Sequence, residues 1–110
     1  MKAAFIQPGN TIDYKNAGTE PIKYGSIVKL GADRIGIAAS DIPVGELGAL
    51  HLCGVFSCKK TEGAVELGAK LYYSEADDAV TTESGSNVPA GWAVAAAAAG
   101  DAEVRVKLND

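Results

Sequence analysis

The sequence lacks any apolar run long enough for a signal peptide or a membrane span. Residues 3–6 begin an apolar stretch, but Gln7-Pro8-Gly9 interrupts it at once. The alanine run at 95–99 is also far shorter than the ~20 residues that cross a bilayer. We therefore expect no signal peptide, no membrane segment and no membrane partner.

Residues that commonly bind metals or act as nucleophiles are also scarce. His51 is the only histidine, and Cys53 and Cys58 are the only cysteines. On one regular strand, Cys53 and Cys58 would face opposite sides, although a bulge at Gly54 could restore one face. A zinc site made of these three residues lacks the usual pairs of closely spaced ligands. We expect two reduced thiols, no bound metal and no cofactor.

The balance of charges argues against nucleic acid as a partner. The chain has 10 basic and 14 acidic side chains, which give a net charge of −4. The longest basic run is Lys59-Lys60. An acidic surface repels phosphate, so we expect no nucleic-acid binding. The length of 110 residues and the 47% hydrophobic content fit a single domain with a modest core.

Glycine is abundant and divides the chain into pieces of strand length. The 13 glycines are spread almost evenly, and no long helical periodicity occurs between them. Each predicted strand is a short apolar or alternating segment that ends at a turn signal. The predicted strands are 26–30, 33–39, 49–59 with a bulge at Gly54, 69–74 and 79–82, with loops at 40–48, 61–68 and 83–91.

The last part of the chain contains the clearest strand. Residues 103–108 alternate strictly between charged and apolar side chains, as a half-buried strand does. Gly100-Asp101 is a turn signal, so residues 91–98 are predicted to be the hairpin partner. A helix at 92–99 is the alternative, because alanine is the best helix former.

The triplet Leu-Gly-Ala occurs three times, at 30–32, 47–49 and 67–69. The first copy ends a predicted strand, whereas the other two precede one. A true repeat holds one position in its unit. The triplets therefore favour coincidental turn chemistry over an internal repeat.

Together these patterns predict an all-β fold, a small β-sandwich or a partly open β-barrel of short hairpin-connected strands with little or no helix. Residues 21–110 are predicted to form a single β-domain. Residues 1–20 form either an N-terminal arm or the first strand. Four apolar residues of this stretch are interrupted by Pro8-Gly9, so they cannot all join one sheet. These four are Phe5, Ile6, Ile12 and Tyr14.

No catalytic motif is present. A phosphate-binding loop and a G-x-S-x-G nucleophile elbow are both missing. A lone histidine on a strand is far more often a surface residue than a catalytic base. Asp77-Asp78 reads as a solvated turn, with a weak calcium alternative. We therefore expect no catalytic residues and no enzyme activity.

The sequence resembles the small capsid cement, or decoration, proteins of tailed bacteriophages and prophages. The resemblance runs essentially from end to end, and the last segment and the GVFSCKK strand are its most specific parts. The stretches that carry it are FIQPGNTIDY at 5–14, the segment 25–60, GAKLYYSEADDAVTTESG at 68–85 and GWAVAAAAAGDAEVRVKLN at 91–109.

The resemblance implies a β-rich structural protein of the virion that binds the outer surface of a phage head and stabilises the lattice of major capsid protein. It also implies synthesis in the cytoplasm of a bacterial host. Some relatives are labelled phage recombinases, but the missing phosphate loop and basic patch give that label no support here. The remaining alternative is a small binding module of a non-viral complex.

Two expectations about attachment follow from the cement interpretation. Phe5, Ile6, Ile12 and Tyr14 are the candidate capsid contacts, because an interrupted apolar arm can bind a partner's sheet edge. Copies are expected to cluster as homotrimers on the capsid, since several contacts raise the effective affinity of a small protein.

Overall fold

The computed structural model describes residues 1–109, and these form nine β-strands and no helix. The predicted all-β class is thereby confirmed. The strands are β1 (Thr11–Lys15), β2 (Ile27–Leu30), β3 (Arg34–Ala38), β4 (Leu47–His51), β5 (Val55–Lys59), β6 (Lys70–Ser74), β7 (Ala79–Thr81), β8 (Val88–Ala93) and β9 (Glu103–Leu108).

The strands form two antiparallel sheets that repeat one topology. The first sheet has the order β1-β4-β3-β2, and the second has the order β5-β9-β8-β6-β7. The strands β5, β6, β8 and β9 thus correspond to β1, β2, β3 and β4, and β7 is an addition at the edge. We call residues 10–52 the first repeat and residues 54–108 the second repeat.

The correspondence extends to individual hydrogen bonds. In the first repeat, Leu52 N–H donates to the Asn10 carbonyl at 2.8 Å. In the second, Leu108 N–H donates to the Gly54 carbonyl at 3.0 Å. Other matching donor-to-acceptor pairs are Gly25 to Ala38 with Gly68 to Ala93, and Ala39 to Ala49 with Val94 to Arg105.

A four-residue turn occurs twice in each repeat. In every copy the fourth residue donates its N–H to the first carbonyl at 3.0 or 3.1 Å, and the third residue is glycine. Three of these glycines have φ between +80° and +86°, which a type II turn requires at that position. The four turns are Lys23–Ser26, Pro43–Glu46, Glu66–Ala69 and Ala98–Asp101.

An internal repeat is therefore present, contrary to our interpretation of the Leu-Gly-Ala triplets. The triplets themselves are out of frame: Gly31 follows β2, Gly48 lies within β4, and Gly68 lies in a turn. The repeated feature is the turn and the bridge residue before it. These bridge residues pair Ile22 with Ile42 and Val65 with Ala97.

The two repeats differ most in the hairpin that joins their second and third strands. In the first repeat, the loop between β2 and β3 is only residues 31–33. In the second, residues 75–87 take its place and include β7. β7 pairs with β6, and Val80 also forms a parallel bridge with Lys60, just after β5. This bridge closes the second sheet into a small barrel, whereas the first sheet stays open.

The two hydrophobic core clusters differ in the same way, because the closed repeat has the larger one. The larger cluster lies inside the second repeat and includes the inward residues of β6, β8 and β9, with Ile35 and Ile37 of the first repeat packed against it. The smaller cluster consists of Ala38, Ile42 and Leu50. Most apolar side chains around the smaller cluster are only half-buried.

Asn109 connects the two repeats. Its N–H donates to the Ala90 carbonyl at 2.7 Å, in the second repeat. Its side-chain Nδ2 donates to the carbonyls of Leu52 at 2.6 Å and Ile35 at 3.1 Å, in the first. Its Oδ1 accepts the Ile35 N–H at 3.2 Å. One residue therefore links β8, through its backbone N–H, to β3, through its side-chain amide.

The predicted single strand at 49–59 is wrong. Residues 47–51 and 55–59 form β4 and β5, which belong to different sheets. Gly54 separates them with φ of +113°, a conformation that side-chain-bearing residues rarely adopt. The glycine marks a crossing between the repeats, and we had interpreted it as a bulge within one strand.

The partner of the last strand is correct in part. β8 pairs with β9, but it spans 88–93, whereas 91–98 was predicted. Val88 and Pro89 lie in the stretch that we had assigned to a loop. Residues 94–102 form a connection that contains one of the repeated turns, so the alternative helix at 92–99 is wrong.

Candidate functional site

Residues 1–8, which we call the arm, precede β1 and belong to neither sheet. All of them are exposed, and Phe5 and Ile6 expose 83% and 84% of their surface. Gln7 Nε2 donates to the Thr11 carbonyl at 3.1 Å, which holds the base of the arm against β1. Two large apolar side chains are therefore held in water at one end of the first repeat, where they can contact a partner.

The other two candidate contacts, Ile12 and Tyr14, lie on β1. They share one face of the strand and pack against the smaller core cluster, and both are half-buried. The structure thus separates the predicted set into two pairs, an exposed pair on the arm and a half-buried pair in the sheet. Whether residues 1–20 act as an arm or belong to the domain stays a prediction.

The face that carries Ile12 and Tyr14 continues across the first sheet to β2. Val28 and Leu30 are half-buried there, against the same small cluster. Their counterparts in the second repeat are Leu71 and Tyr73, which expose 1% and 6% of their surface inside the barrel. Equivalent positions are therefore covered in one repeat and open in the other.

Both edges of the first sheet carry outward-facing backbone groups. Ala38 N–H donates to the Ser26 carbonyl at 3.0 Å, so Ser26 faces β3. Antiparallel pairing alternates, and the N–H and C=O groups of Ile27 and Lys29 therefore point away from the sheet. On β1, Asn10 and Asn16 bond to the β4 side, so the backbone groups of Thr11, Asp13 and Lys15 point outward by the same alternation. Such edges are templates for another strand.

Three exposed apolar residues occupy the same position of the repeated turn. Tyr24, Val44 and Leu67 each precede the turn glycine and expose 73%, 48% and 67% of their surface. The sequence patterns did not identify these three residues, or Val28 and Leu30, as candidate contacts. The available sequence signal was an apolar residue directly before a glycine, three residues before the start of β2, β4 or β6.

A groove of about 500 Å³ lies between the sheets. His51 and Phe56 contact each other there, with ring centroids 5.5 Å apart. Cys58 is buried, and burial together with the nearby Glu103 carboxylate raises the pKa of its thiol to about 11. A thiol with a raised pKa is a poor nucleophile. Cys53 lies at the surface, and both cysteines are free thiols.

The acidic turn between β6 and β7 is used for local structure. Tyr73 OH donates to Asp78 Oδ1 at 2.8 Å, and Ser74 Oγ donates to Asp77 Oδ2 at 3.0 Å. Burial, the Asp78 bond and the nearby carboxylates raise the pKa of Tyr73. Within residues 1–109, no group of three or more His, Cys, Asp or Glu side chains is arranged to hold a metal ion.

Charge is divided unequally between the repeats. Residues 1–53 contain five basic and five acidic side chains, whereas residues 54–110 contain five basic and nine acidic ones. The whole net charge of −4 therefore belongs to the second half. The open, half-apolar face lies on the half that carries no net charge.

The chain was compared with known proteins on this basis. In the described part of the chain, no helix is long and apolar enough to span a membrane. No curated protein and no solved structure gave a match. The family model for phage cement proteins matches residues 6–108 of the 110 residues. A match over nearly the whole chain confirms the resemblance found in the sequence, and the chain therefore belongs to the phage cement protein family.

Proposed function

We propose that this protein binds the outer surface of a phage head and stabilises the lattice of the major capsid protein. Family membership gives it a structural, capsid-associated role in the virion. The observation that carries the finer proposal is the open first repeat. The exposed apolar arm lies before it, its sheet face is half-covered, and residues 1–53 as a whole carry no net charge. These features suit a docking surface.

The arm and β1 form the proposed contact with the major capsid protein. Phe5 and Ile6 are large apolar side chains that a partner can bury, at about 25 cal/mol per Å² of apolar surface. Ile12 and Tyr14 are already held by the small core and add contact area beside the arm. The second repeat, with its closed barrel, supplies the stable scaffold.

Clustering of copies is part of the proposal. One small domain offers about 800 Å² to a partner, and the entropy of association consumes much of the gain from that area. Copies that meet as trimers around a symmetry axis of the shell would each contact several capsid subunits. We place synthesis in the host cytoplasm, before attachment to the assembled head.

Co-sedimentation with purified undecorated heads tests the proposal. The wild-type protein should pellet with the heads, and the double variant Phe5→Ser/Ile6→Ser should pellet less while its melting temperature stays the same. Val55→Ser is the matched control, because it removes a 56% exposed apolar side chain from the second repeat. A wild-type protein that stays in the supernatant at all concentrations contradicts the proposed function.

A further inference from the structure

The second repeat shows how a fifth strand completes this topology. β7 lies antiparallel to β6, with Val80 opposite Tyr73 and Thr81 opposite Tyr72. Val80 is fully buried at the centre of the barrel. On the other side of β7, Thr61 N–H donates to the Val80 carbonyl at 3.0 Å. A single strand thus pairs with the backbone groups at the edge of β6, fills the core and closes the barrel against the end of β5.

The first repeat has the same sites without the strand. Lys29 and Leu30 correspond to Tyr72 and Tyr73, and the outward backbone groups of Lys29 lie at the open edge. Ala17 corresponds to Thr61, and within residues 1–109 its N–H has no hydrogen-bond acceptor. Leu30 and Val28 are half-buried because nothing equivalent to Val80 covers them.

We propose that the opening between β1 and β2 accepts an extended segment of the major capsid protein, which adds as a strand antiparallel to β2 with an apolar residue opposite Leu30. The segment occupies the place that β7 occupies in the second repeat. Its backbone pairs with Lys29, and the carbonyl of the apolar residue itself accepts the Ala17 N–H, as the Val80 carbonyl accepts the Thr61 N–H. This inference rests on the proposed function and specifies how the capsid is recognised.

Charge and position favour the capsid over a second copy of this chain. Every copy carries its net charge of −4 on the second half, so copies repel one another in dilute solution. The opening lies on the neutral half and is continuous with Ile12 and Tyr14 of the proposed capsid contact. A strand added there joins one continuous interface with the arm.

Hydrogen exchange on the wild-type protein provides the first test. Exchange is measured by mass spectrometry for the protein alone and for the protein bound to undecorated heads. Peptides that cover 26–31 should exchange at least about tenfold more slowly on the heads, because edge amides gain hydrogen bonds. Peptides that cover 70–74 should change little, because β7 already covers that strand.

A proline variant provides the second test. Lys29→Pro removes one outward N–H and blocks the edge without breaking a bond to β3. It should bind heads at least about tenfold more weakly than Lys29→Ala, which loses the same side chain and its ion pair with Glu75 but keeps the N–H. Unchanged exchange at 26–31 on bound heads overturns the strand proposal and leaves the proposed function intact.

A second copy as the occupant gives a different result. The added strand would then be the arm of the second copy. Protection of residues 26–31 from exchange would appear without heads and would increase with protein concentration. It would disappear when residues 2–8 of the arm are deleted. That outcome also overturns the capsid-strand proposal. Failure of the wild-type protein to bind heads at all, in contrast, is the failure of the proposed function itself.

Discussion

The two repeats of this protein have the same strand order and much of the same hydrogen bonding, yet one is closed and the other open. The difference comes from residues 75–87, which add β7 to the second repeat. In the first repeat, a loop of residues 31–33 takes their place. One insertion thus converts an open sheet into a barrel, and it leaves the molecule with a rigid half and a half that has exposed edges. A structural adhesive needs both.

The largest expected effect compares the two glycines at the equivalent positions of β3 and β8. A Cβ atom at Gly91 would overlap the Lys107 carbonyl oxygen, and φ there is +143°. At Gly36, a Cβ would meet side-chain atoms of Leu50 at 3.0 and 3.1 Å. Gly91→Ala should therefore destabilise the fold by about 4 kcal/mol or prevent folding, and Gly36→Ala by about 1–2 kcal/mol.

Urea denaturation of both variants measures this difference. At Gly91 the added Cβ meets backbone, and the strands can move apart only with loss of the β8–β9 pairing. At Gly36 the added Cβ meets the Leu50 side chain, which can move. If both variants lose the same free energy of unfolding, the two glycines do not differ in the way that their contacts indicate.

A second comparison uses one substitution in the closed and the open repeat. Leu71 is 1% exposed inside the barrel, and Leu30 is half-buried at the open face. Leu71→Ala should cost about 3 kcal/mol, within the range for buried leucines, and Leu30→Ala about 1 kcal/mol. Thermal or urea unfolding checks both values. Equal losses would show that the open face is covered in the free protein.

The sequence alone predicted part of this architecture. Residues 103–108 alternate without exception, and β9 spans these same residues, because one face of that strand packs into the core and the other meets water. The strands at 26–30, 33–39, 69–74 and 79–82 were each found within one or two residues of their bounds. A short strand between two glycine turns can be predicted from its own residues and the glycines beside it.

The repeat was not visible in the sequence for three physical reasons. Its common features are a turn hydrogen bond and a glycine with positive φ, and these constrain few side chains. Equivalent strand positions hold different residues, such as Tyr14 and Cys58, since one repeat must fill a closed barrel and the other an open sheet. The insertion of β7 also shifts the spacing. Which candidate contacts meet a partner stays a prediction, because binding depends on a surface outside this chain.

The third prediction tests the equivalence of Asn16 and Lys60, two buried polar residues at corresponding positions, which expose 3% and 6% of their surface. Asn16 Nδ2 donates to the Glu20 carbonyl at 2.8 Å, and Lys60 Nζ donates to the Gly63 carbonyl at 2.7 Å. Each holds the segment after the first strand of its repeat. Lys60→Met should cost about 2 kcal/mol, because it removes a charged donor from three part-buried hydrogen bonds to backbone carbonyls.

Asparagine at position 60 is the informative control. If the repeats are equivalent, Lys60→Asn should retain about half of the stability that Lys60→Met loses, since an amide already does this work at Asn16. Comparison of the free energies of unfolding of the two variants tests this equivalence. An asparagine variant no more stable than the methionine variant would contradict the equivalence.

The smallest expected effect concerns alkaline pH and the buried thiol of Cys58. Its pKa rises from 9.0 to about 11 through burial and the Glu103 carboxylate, so the folded state disfavours the thiolate. Between these two values the unfolded chain loses this proton more readily than the folded one. The resulting stability is fully present below about pH 9 and is lost as pH rises toward 11, at a cost of about 1–2 kcal/mol.

Two cysteine variants separate this effect from other alkaline changes. Cys58→Ala should lower stability at neutral pH, because a small cavity forms, but its stability should fall less steeply between pH 9 and 11. Cys53→Ser should keep the wild-type slope, because Cys53 is exposed. Tyr73 also has a raised pKa and adds to the fall in both variants. The difference in slope between the two variants therefore isolates Cys58, and equal slopes would mean that its thiol titrates in the folded protein as it does in the unfolded chain.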